Sequence, residues 1–288
     1  MKVAFLGLGV MGMAIARRLQ AAGVALRVWN RSADKCRPLI DAGAIGCATP
    51  AEAAAGAEIV FLCLIDGAAV EQTVFSRDGI SSAACPATVI VDHSSIAPDE
   101  ARKLAARLAE RCGAGWLDAP VSGGVPAAEQ GALTVMAGGA RESYERVLPL
   151  LRHYARNINL MGPVGAGQIT KLCNQILVAN TIASISEALR LAVRGGIDAA
   201  QLPQALQGGW ADSTLLPLIA PRMLNGVDKP LGASSTMLKD LGNVHRFAAE
   251  HDVPLPLTAV TEQLFRVLDF QSRGHLEPSE LLRLFDRG

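Results

Sequence analysis

Gly7-Leu8-Gly9-Val10-Met11-Gly12 lies between a short β-type run, Lys2-Val3-Ala4-Phe5-Leu6, and a helical pattern from Met11 to Ala22 that stops at Gly23. A G-x-G-x-x-G between a strand and a helix is a dinucleotide-binding turn. The first Gly makes the tight turn, the second lets backbone approach a pyrophosphate, and the third lets the helix pack on the strand. The N-terminus of that helix offers free N–H groups and a partial positive charge to phosphates. This setting restricts the N-terminal part of the chain to a parallel α/β layer. Gly7, Leu8, Gly9, Val10, Met11 and Gly12 are read as cofactor-binding.

The rest of the chain supports that layer. Strand patterns appear at Ala25–Asn30, Glu58–Leu64, Thr88–Asp92, Trp116–Val121, Leu133–Ala137 and Asn157–Met161, with helical patterns in most gaps. Strands alternating with helices predict a doubly wound, mainly parallel sheet. Pro98-Asp99-Glu100 opens a helix with proline near its first position and acids in its first turn. The pattern changes near Gly162. No Gly or Pro interrupts Gln168 to Arg194, which as one helix spans roughly 40 Å. Further helices are expected at about 199–208, 213–224, 234–251, 256–273 and 277–286, and no strand pattern returns. The reading is a Rossmann-type α/β domain over residues 1–161 and an all-α domain over 162–288.

Composition excludes several functions. Formal net charge is zero over 288 residues, which offers neither a nucleic-acid surface nor attraction to an anionic membrane. Aromatics make up 4%, so the core must be built from Ala, Leu, Val and Ile. Cys36, Cys47, Cys63, Cys85, Cys112 and Cys173 show no metal-ligand spacing, and the five histidines are scattered. No metal is expected, and the cysteines read as free thiols in a reducing cytoplasm. The N-terminus imitates a signal peptide, but Gly7, Gly9 and Gly12 punctuate its apolar run and the βαβ pattern continues through it. No membrane span is expected, because the longest apolar helix pattern carries too many polar groups.

The second strand ends at Asn30-Arg31-Ser32. NAD-specific sites place Asp or Glu at this distance from the glycines to bond the ribose 2′-hydroxyl. Here Asn30 holds that position, and Arg31 and Ser32 suit a 2′-phosphate by charge and hydrogen bonding. The sequence therefore favours NADP(H), with NAD(H) possible.

Three further strings carry a resemblance: Asp92-His93-Ser94-Ser95-Ile96-Ala97-Pro98, Asp118-Ala119-Pro120-Val121-Ser122-Gly123-Gly124, and Gly162 through Lys171-Leu172-Cys173-Asn174-Gln175, with Lys239-Asp240-Leu241 downstream. In this order and over essentially its whole length, the chain resembles the β-hydroxyacid dehydrogenases. These include 3-hydroxyisobutyrate dehydrogenase and the tartronate, glyoxylate and succinic semialdehyde reductases. The Lys-Leu-Cys-Asn-Gln string, Ser186-Glu187-Ala188-Leu189 and Gly208-Gly209-Trp210-Ala211-Asp212-Ser213-Thr214 lean towards the tartronate branch. The resemblance implies a fold like that of 6-phosphogluconate dehydrogenase, a Rossmann-type domain followed by an all-helical one. It also implies NADP(H)-dependent interconversion of a small β-hydroxy acid and its semialdehyde.

The roles follow residue by residue. Lys171 matches the family's catalytic lysine, which gives a proton to the forming alkoxide. Helical spacing places Asn174 and Gln175 on its face. Many members have Asn at the Gln175 position; Gln replaces it here, and by position Gln175 is favoured for the substrate contact, with Asn174 as a helper. Ser122, Gly123 and Gly124 match the segment that holds the substrate carboxylate. Ser95 matches a Thr or Ser that contacts nicotinamide or its ribose, and Lys239 a lysine near cofactor or substrate. Asp240 reads as a salt-bridge partner and His93 as structural. Core packing is the reading for Trp210, with a wall of the substrate pocket as its alternative.

Two rivals remain within redox chemistry: 3-hydroxyisobutyrate dehydrogenation, and imine reduction, against which Lys171 argues. A non-catalytic NADPH-binding protein is the rival of another class. The apolar helix over 168–194 needs cover on several sides, which predicts a homodimer or homotetramer.

Overall fold

The computed structural model describes residues 1–227 and 230–285, excepting the Phe285 side chain. The chain forms two compact units, Met1–Lys171 and a second from Leu172 onward. The first contains strands β1 (Val3–Leu6), β2 (Leu26–Trp29), β3 (Ile45–Gly46), β4 (Ile59–Leu62), β5 (Val89–Asp92), β6 (Gly115–Asp118), β7 (Val121–Ser122), β8 (Leu133–Gly139) and β9 (Ala155–Gly162). Its main helices are α1 (Val10–Ala21), α2 (Gly67–Phe75), α3 (Pro98–Cys112) and α4 (Arg141–Leu151). The helix α5 (Ala166–Arg194) begins in this unit and continues into the second, which also holds α6 (Leu215–Asn225), α7 (Ser234–Glu250) and α8 (Pro256–Phe270).

The sheet runs β3-β2-β1-β4-β5-β6-β8-β7, and β9 pairs with β8. Strands β3 to β6 in that order are all parallel. This is the doubly wound order with its switch point between β1 and β4, where the connections leave in opposite directions and a crevice opens. β8 runs antiparallel to β6 and β7 and parallel to β9. β6 and β7 pair with successive parts of β8, and Met136 N–H reaches the Pro120 carbonyl between them at 3.0 Å. They are therefore two pieces of one run bent at Ala119-Pro120.

Period-two alternation divides the sheet's side chains between two cores. Val3, Phe5, Ile59, Phe61, Val89, Val91 and Leu117 join one. Ala4, Leu6, Val60, Leu62, Ile90 and Trp116 join the other. Both faces are covered, so the strands read as continuous apolar runs. Phe5 and Phe61 are fully buried and stack with centroids 5.8 Å apart, each contributing roughly 1.5–3 kcal/mol by burial. α3 starts at Pro98 as predicted, and Glu100 Oε2 accepts from Ala97 N–H at 3.1 Å. The two-residue strand β3 carries too few residues to show a period and was not expected, whereas β7 opens at Val121, the last residue of the strand expected over Trp116–Val121.

Among the described residues of the second unit no strand occurs. Ala179, Ile182, Ile185 and Leu189 of α5 pack with Ile219, Met223, Leu241, Phe265 and Leu268. The helix expected at 199–208 is only a 3-10 turn, Ala199–Gln201, and one turn of α-helix, Leu202–Ala205. Pro203 suits that helix start, and Gly208 at φ 75° lies beyond its end. The last element, Pro278–Phe285, is 3-10 rather than α; the expected end at 286 lies outside the described residues. Trp210 is fully exposed, which corrects the core-packing reading: it stands in the loop after Gly208-Gly209. By length and composition α5 is apolar enough to cross a bilayer, contrary to the sequence expectation. Core helices of folded domains meet the same description, and buried Gln168, Gln175 and Ser186 lie along it.

Candidate active site

The three glycines of the first turn meet different surroundings. Gly7 has φ 97°, and a Cβ there would stand 2.4 Å from the Cys63 carbonyl oxygen. A Cβ on Gly12 would lie 2.0 Å from the Gly7 carbonyl oxygen. A Cβ on Gly9 would meet nothing within 4 Å. Gly7 and Gly12 are therefore required by the fold, whereas Gly9 keeps open space in front of its backbone.

That space belongs to a cavity of about 330 Å³ at the C-terminal ends of β1, β2 and β4. Gly7, Gly9, Asn30, Arg31 and Ser32 line it, with Leu64 and Ile65 after β4 and Ala69, Gln72 and Thr73 of α2. The crevice is at the switch point, where dinucleotides bind in such sheets. Leu8, Val10, Met11, Gly12 and Ser95 do not line it. Leu8 is buried and its N–H donates to Asn30 Oδ1 at 2.9 Å. Asn30 Nδ2 in turn donates to the Ser32 carbonyl at 3.0 Å. Asn30 thus braces the glycine turn against the end of β2. Arg31 and Ser32 are exposed at the cavity, joined by exposed Lys35. The sequence reading missed Lys35; its signal was a second cation four residues after Arg31 in the turn leaving β2. Two cations and no carboxylate line this end, which fits a phosphorylated ribose.

A second group of residues gathers around β5, β6 and the start of α5. Asp92 and Asp118 are register partners at the ends of neighbouring parallel strands, and both are buried. Asp118 Oδ1 accepts from Gly165 N–H at 2.7 Å and Oδ2 from Gln168 N–H at 2.8 Å. A carboxylate on the first turn of a helix stabilises it by about 0.3–1 kcal/mol and more when buried. Glycines permit this approach: a Cβ on Gly167 would come within 2.7 Å of the Asp118 carbonyl oxygen, and one on Gly138 within 2.7 Å of Asp118 Oδ1. Burial pushes Asp118 up to about 6, against the pull of these N–H groups. Asp92 is pushed up to about 7 by burial and by Asp118, although Ser94 bonds to it. The sequence reading gave neither carboxylate a place in the site.

One turn beyond Gln168, half-buried Lys171 points its Nζ to the Val121 carbonyl at 2.9 Å. Lys171 is thereby brought beside Ser122, and Gly123 and Gly124 follow with φ of 122° and 69°. A Cβ at Gly123 would come within 2.7 Å of the Ala127 Cβ. Ser122 brings a hydroxyl and Lys171 an ammonium to this short stretch, donors of the kind a carboxylate and a developing alkoxide need. Ser95 is half-buried just after β5. His93 lies inside the sheet layer. Its Nδ1–H donates to the Ala119 carbonyl at 2.6 Å, leaving Nε2 to accept from Tyr154 Oη–H at 2.8 Å. Burial pushes His93 down to about 4, so the ring is neutral near pH 7 and structural.

In the second unit, Gln175 is buried. Its Nε2 donates to Asp240 Oδ2 at 2.6 Å, and its Oε1 accepts from Asn174 Nδ2 at 2.8 Å. Lys239 Nζ pairs with the other Asp240 oxygen at 3.1 Å. Both ends of the Gln175 amide are therefore engaged, while half-buried Asn174 spends only its Nδ2 on that contact.

The profile of the NAD-binding domain of 6-phosphogluconate dehydrogenase matches residues 2–162. The NAD-binding profile of NADP-dependent 3-hydroxyisobutyrate dehydrogenase matches 165–285. The chain is 36% identical over 288 residues to 2-hydroxy-3-oxopropionate (tartronate semialdehyde) reductase of Escherichia coli K12, covering 99% of this chain and 97% of that one. The solved structure of 3-hydroxyisobutyrate dehydrogenase from Salmonella typhimurium is similar with a TM-score of 0.89 at 30% identity, covering 99% of each chain. Psf3 in complex with NADP+ and 2-OPP is similar with a TM-score of 0.91 at 26% identity, covering 99% of this chain and 100% of that one.

Proposed function

The chain belongs to the β-hydroxyacid dehydrogenases, NAD(P)-dependent oxidoreductases of small hydroxy acids, and on that premise we propose that it is an NADPH-linked reductase of a short semialdehyde bearing a carboxylate, of the tartronate semialdehyde type. The observation that carries the reading is the placing of Lys171 Nζ beside the Val121-Ser122-Gly123-Gly124 turn.

The crevice at the switch point fits a dinucleotide. Its second glycine is bare toward open space, and Arg31, Ser32 and Lys35 suit a 2′-phosphate. When bound, the reduced nicotinamide supplies a hydride to the substrate's carbonyl carbon. Lys171 supplies the proton: its Nζ donates to the carbonyl oxygen as negative charge builds there, and accepts a proton in the reverse direction. Even without full transfer, an ammonium aimed at that oxygen stabilises the developing charge. Ser122, with the backbone of Gly123 and Gly124, holds the carboxylate and so fixes which face of the aldehyde is presented. Ser95 would meet nicotinamide or its ribose, an assignment that comes from the family resemblance. Asn174, Gln175 and Lys239 are assigned to substrate by the family resemblance, and Lys239 to cofactor as well. The engaged amide of Gln175 favours Asn174 for the direct contact.

Dehydrogenation of 3-hydroxyisobutyrate is the second reading, favoured by the profile over 165–285. A cytoplasmic site is supported by six free cysteines, Cys36 to Cys173. A homo-oligomer is supported by exposed Leu177 and Leu191 on α5 and Phe270 at the end of α8. The substrate reading is tested by NADPH oxidation with tartronate, succinic and methylmalonate semialdehydes and glyoxylate. The expected result is the highest kcat/KM with tartronate semialdehyde. The highest value with methylmalonate semialdehyde moves the chain to the second reading.

A further inference from the structure

Gln168 is the third residue of α5 and is 1% exposed. Its side-chain Nε2 donates to the Ser94 carbonyl at 2.8 Å, and its Oε1 accepts from Ile96 N–H at 3.3 Å. These partners flank Ser95. One amide therefore grips both sides of a single residue, which requires a donor and an acceptor side by side; among the twenty side chains only Asn and Gln carry that pair in neutral form at every pH. The Ser94 side is tied down independently. Ser94 Oγ accepts from Leu64 N–H at 2.9 Å, and Ser94 N–H donates to Asp92 Oδ1 at 2.9 Å. At its other end Gln168 is locked to the sheet by its backbone N–H on Asp118. Lys171 lies three residues further along the same helix, with Nζ on Val121.

We infer that Gln168 is a positioning residue, setting the distance between the Ser95 loop and the Lys171 ammonium without touching substrate itself. The inference rests on the reading of Ser95 as the nicotinamide-side contact and Lys171 as the proton donor. Hydride and proton must reach adjacent atoms of one carbonyl. Near-attack geometry requires reacting atoms about 3–3.5 Å apart, and a displacement of about 1 Å can cost on the order of 100-fold in rate. A side chain bonded to both flanks of Ser95 and borne on the helix of Lys171 holds that tolerance.

Gln168→Met keeps the length and loses both hydrogen bonds. Its kcat should fall about 30-fold, while its Kd for NADPH, set mainly at the glycine turn and Arg31, should stay within about threefold. Gln168→Glu keeps the acceptor but sets a carboxylate against the Ser94 carbonyl. Its activity relative to wild type should rise at least about fivefold as pH falls from about 8 to about 6, because a buried carboxyl protonates in this range and regains the donor. A kcat for Gln168→Met within about threefold of wild type overturns the inference. So does a pH-independent ratio for Gln168→Glu, and so does failure of both variants to fold, since Gln168 then serves packing alone. If wild type reduces no semialdehyde, the reaction reading fails by itself. The grip is then judged by amide exchange over residues 93–97 with NADPH bound: faster exchange in Gln168→Met upholds it, and unchanged exchange overturns it.

Discussion

Arg31 and Asn30 are neighbours with different tasks. Asn30 stands where an NAD-binding carboxylate would, yet its amide is spent on Leu8 N–H and the Ser32 carbonyl. Arg31 faces the cavity with Lys35. A charge-assisted hydrogen bond contributes about 1.5–3 kcal/mol, so Arg31→Ala should lower kcat/KM for NADPH about 10–100-fold while leaving NADH within about twofold. An equal loss for both cofactors would mean that Arg31 does not read the 2′-phosphate. Residue type and spacing singled out Arg31, whereas Ser122 and Lys171 were singled out by the family resemblance. They did not reveal that Asn30 is a brace or that both ends of Gln175 are engaged. Those facts depend on partners 22 and 65 positions away, and a sequence pattern does not say which way an amide turns. For the same reason Gln168 drew no role from its place in the sequence.

Elements were legible in proportion to their length and regularity. Strands β1, β4 and β5 are short apolar runs covered on both faces, and α5 carries no Gly or Pro from Gln168 to Arg194, so both kinds stood out. β3 and β7 have two residues each and exist only because neighbouring strands offer them partners. The join of α5 to the sheet was also hidden, because it depends on Asp118 being within reach of Gly165 and Gln168 in three dimensions. The turn between β1 and α1 gives a test at this scale. Gly9→Ala places a methyl in open space, so its Tm should stay within about 2 °C of wild type, while its KM for NADPH should rise at least about tenfold as the pyrophosphate loses its approach. Gly12→Ala drives a methyl into the Gly7 carbonyl and should lower Tm by more than about 5 °C. Equal Tm losses would contradict the division of the glycines between fold and cofactor.

For the molecule as a whole, Asp92, Asp118 and His93 link stability to pH with opposite signs. Between the ordinary carboxyl range and about 7, folded Asp92 keeps a proton that the unfolded chain has released, so its contribution to stability falls as pH rises through that window. Asp118 acts likewise up to about 6. His93, held down to about 4, acts in reverse: below its ordinary value the unfolded chain takes up a proton the folded one refuses, so stability falls as pH falls. Comparing Asp92→Asn with wild type removes the common His93 contribution. The Tm of the variant minus that of wild type should grow by about 3 °C or more from about pH 4 to about pH 7 and then level off; a constant difference would contradict the burial of an ionisable Asp92. The central assignment is Lys171 as the proton donor of a semialdehyde reductase. The measurement that decides it is NADPH-linked reduction of tartronate semialdehyde, glyoxylate and succinic semialdehyde by wild type and by Lys171→Ala. Wild type should turn over with NADPH preferred over NADH, and removing the ammonium should lower kcat about 100-fold or more. Retention of more than about a tenth of kcat by Lys171→Ala would contradict it.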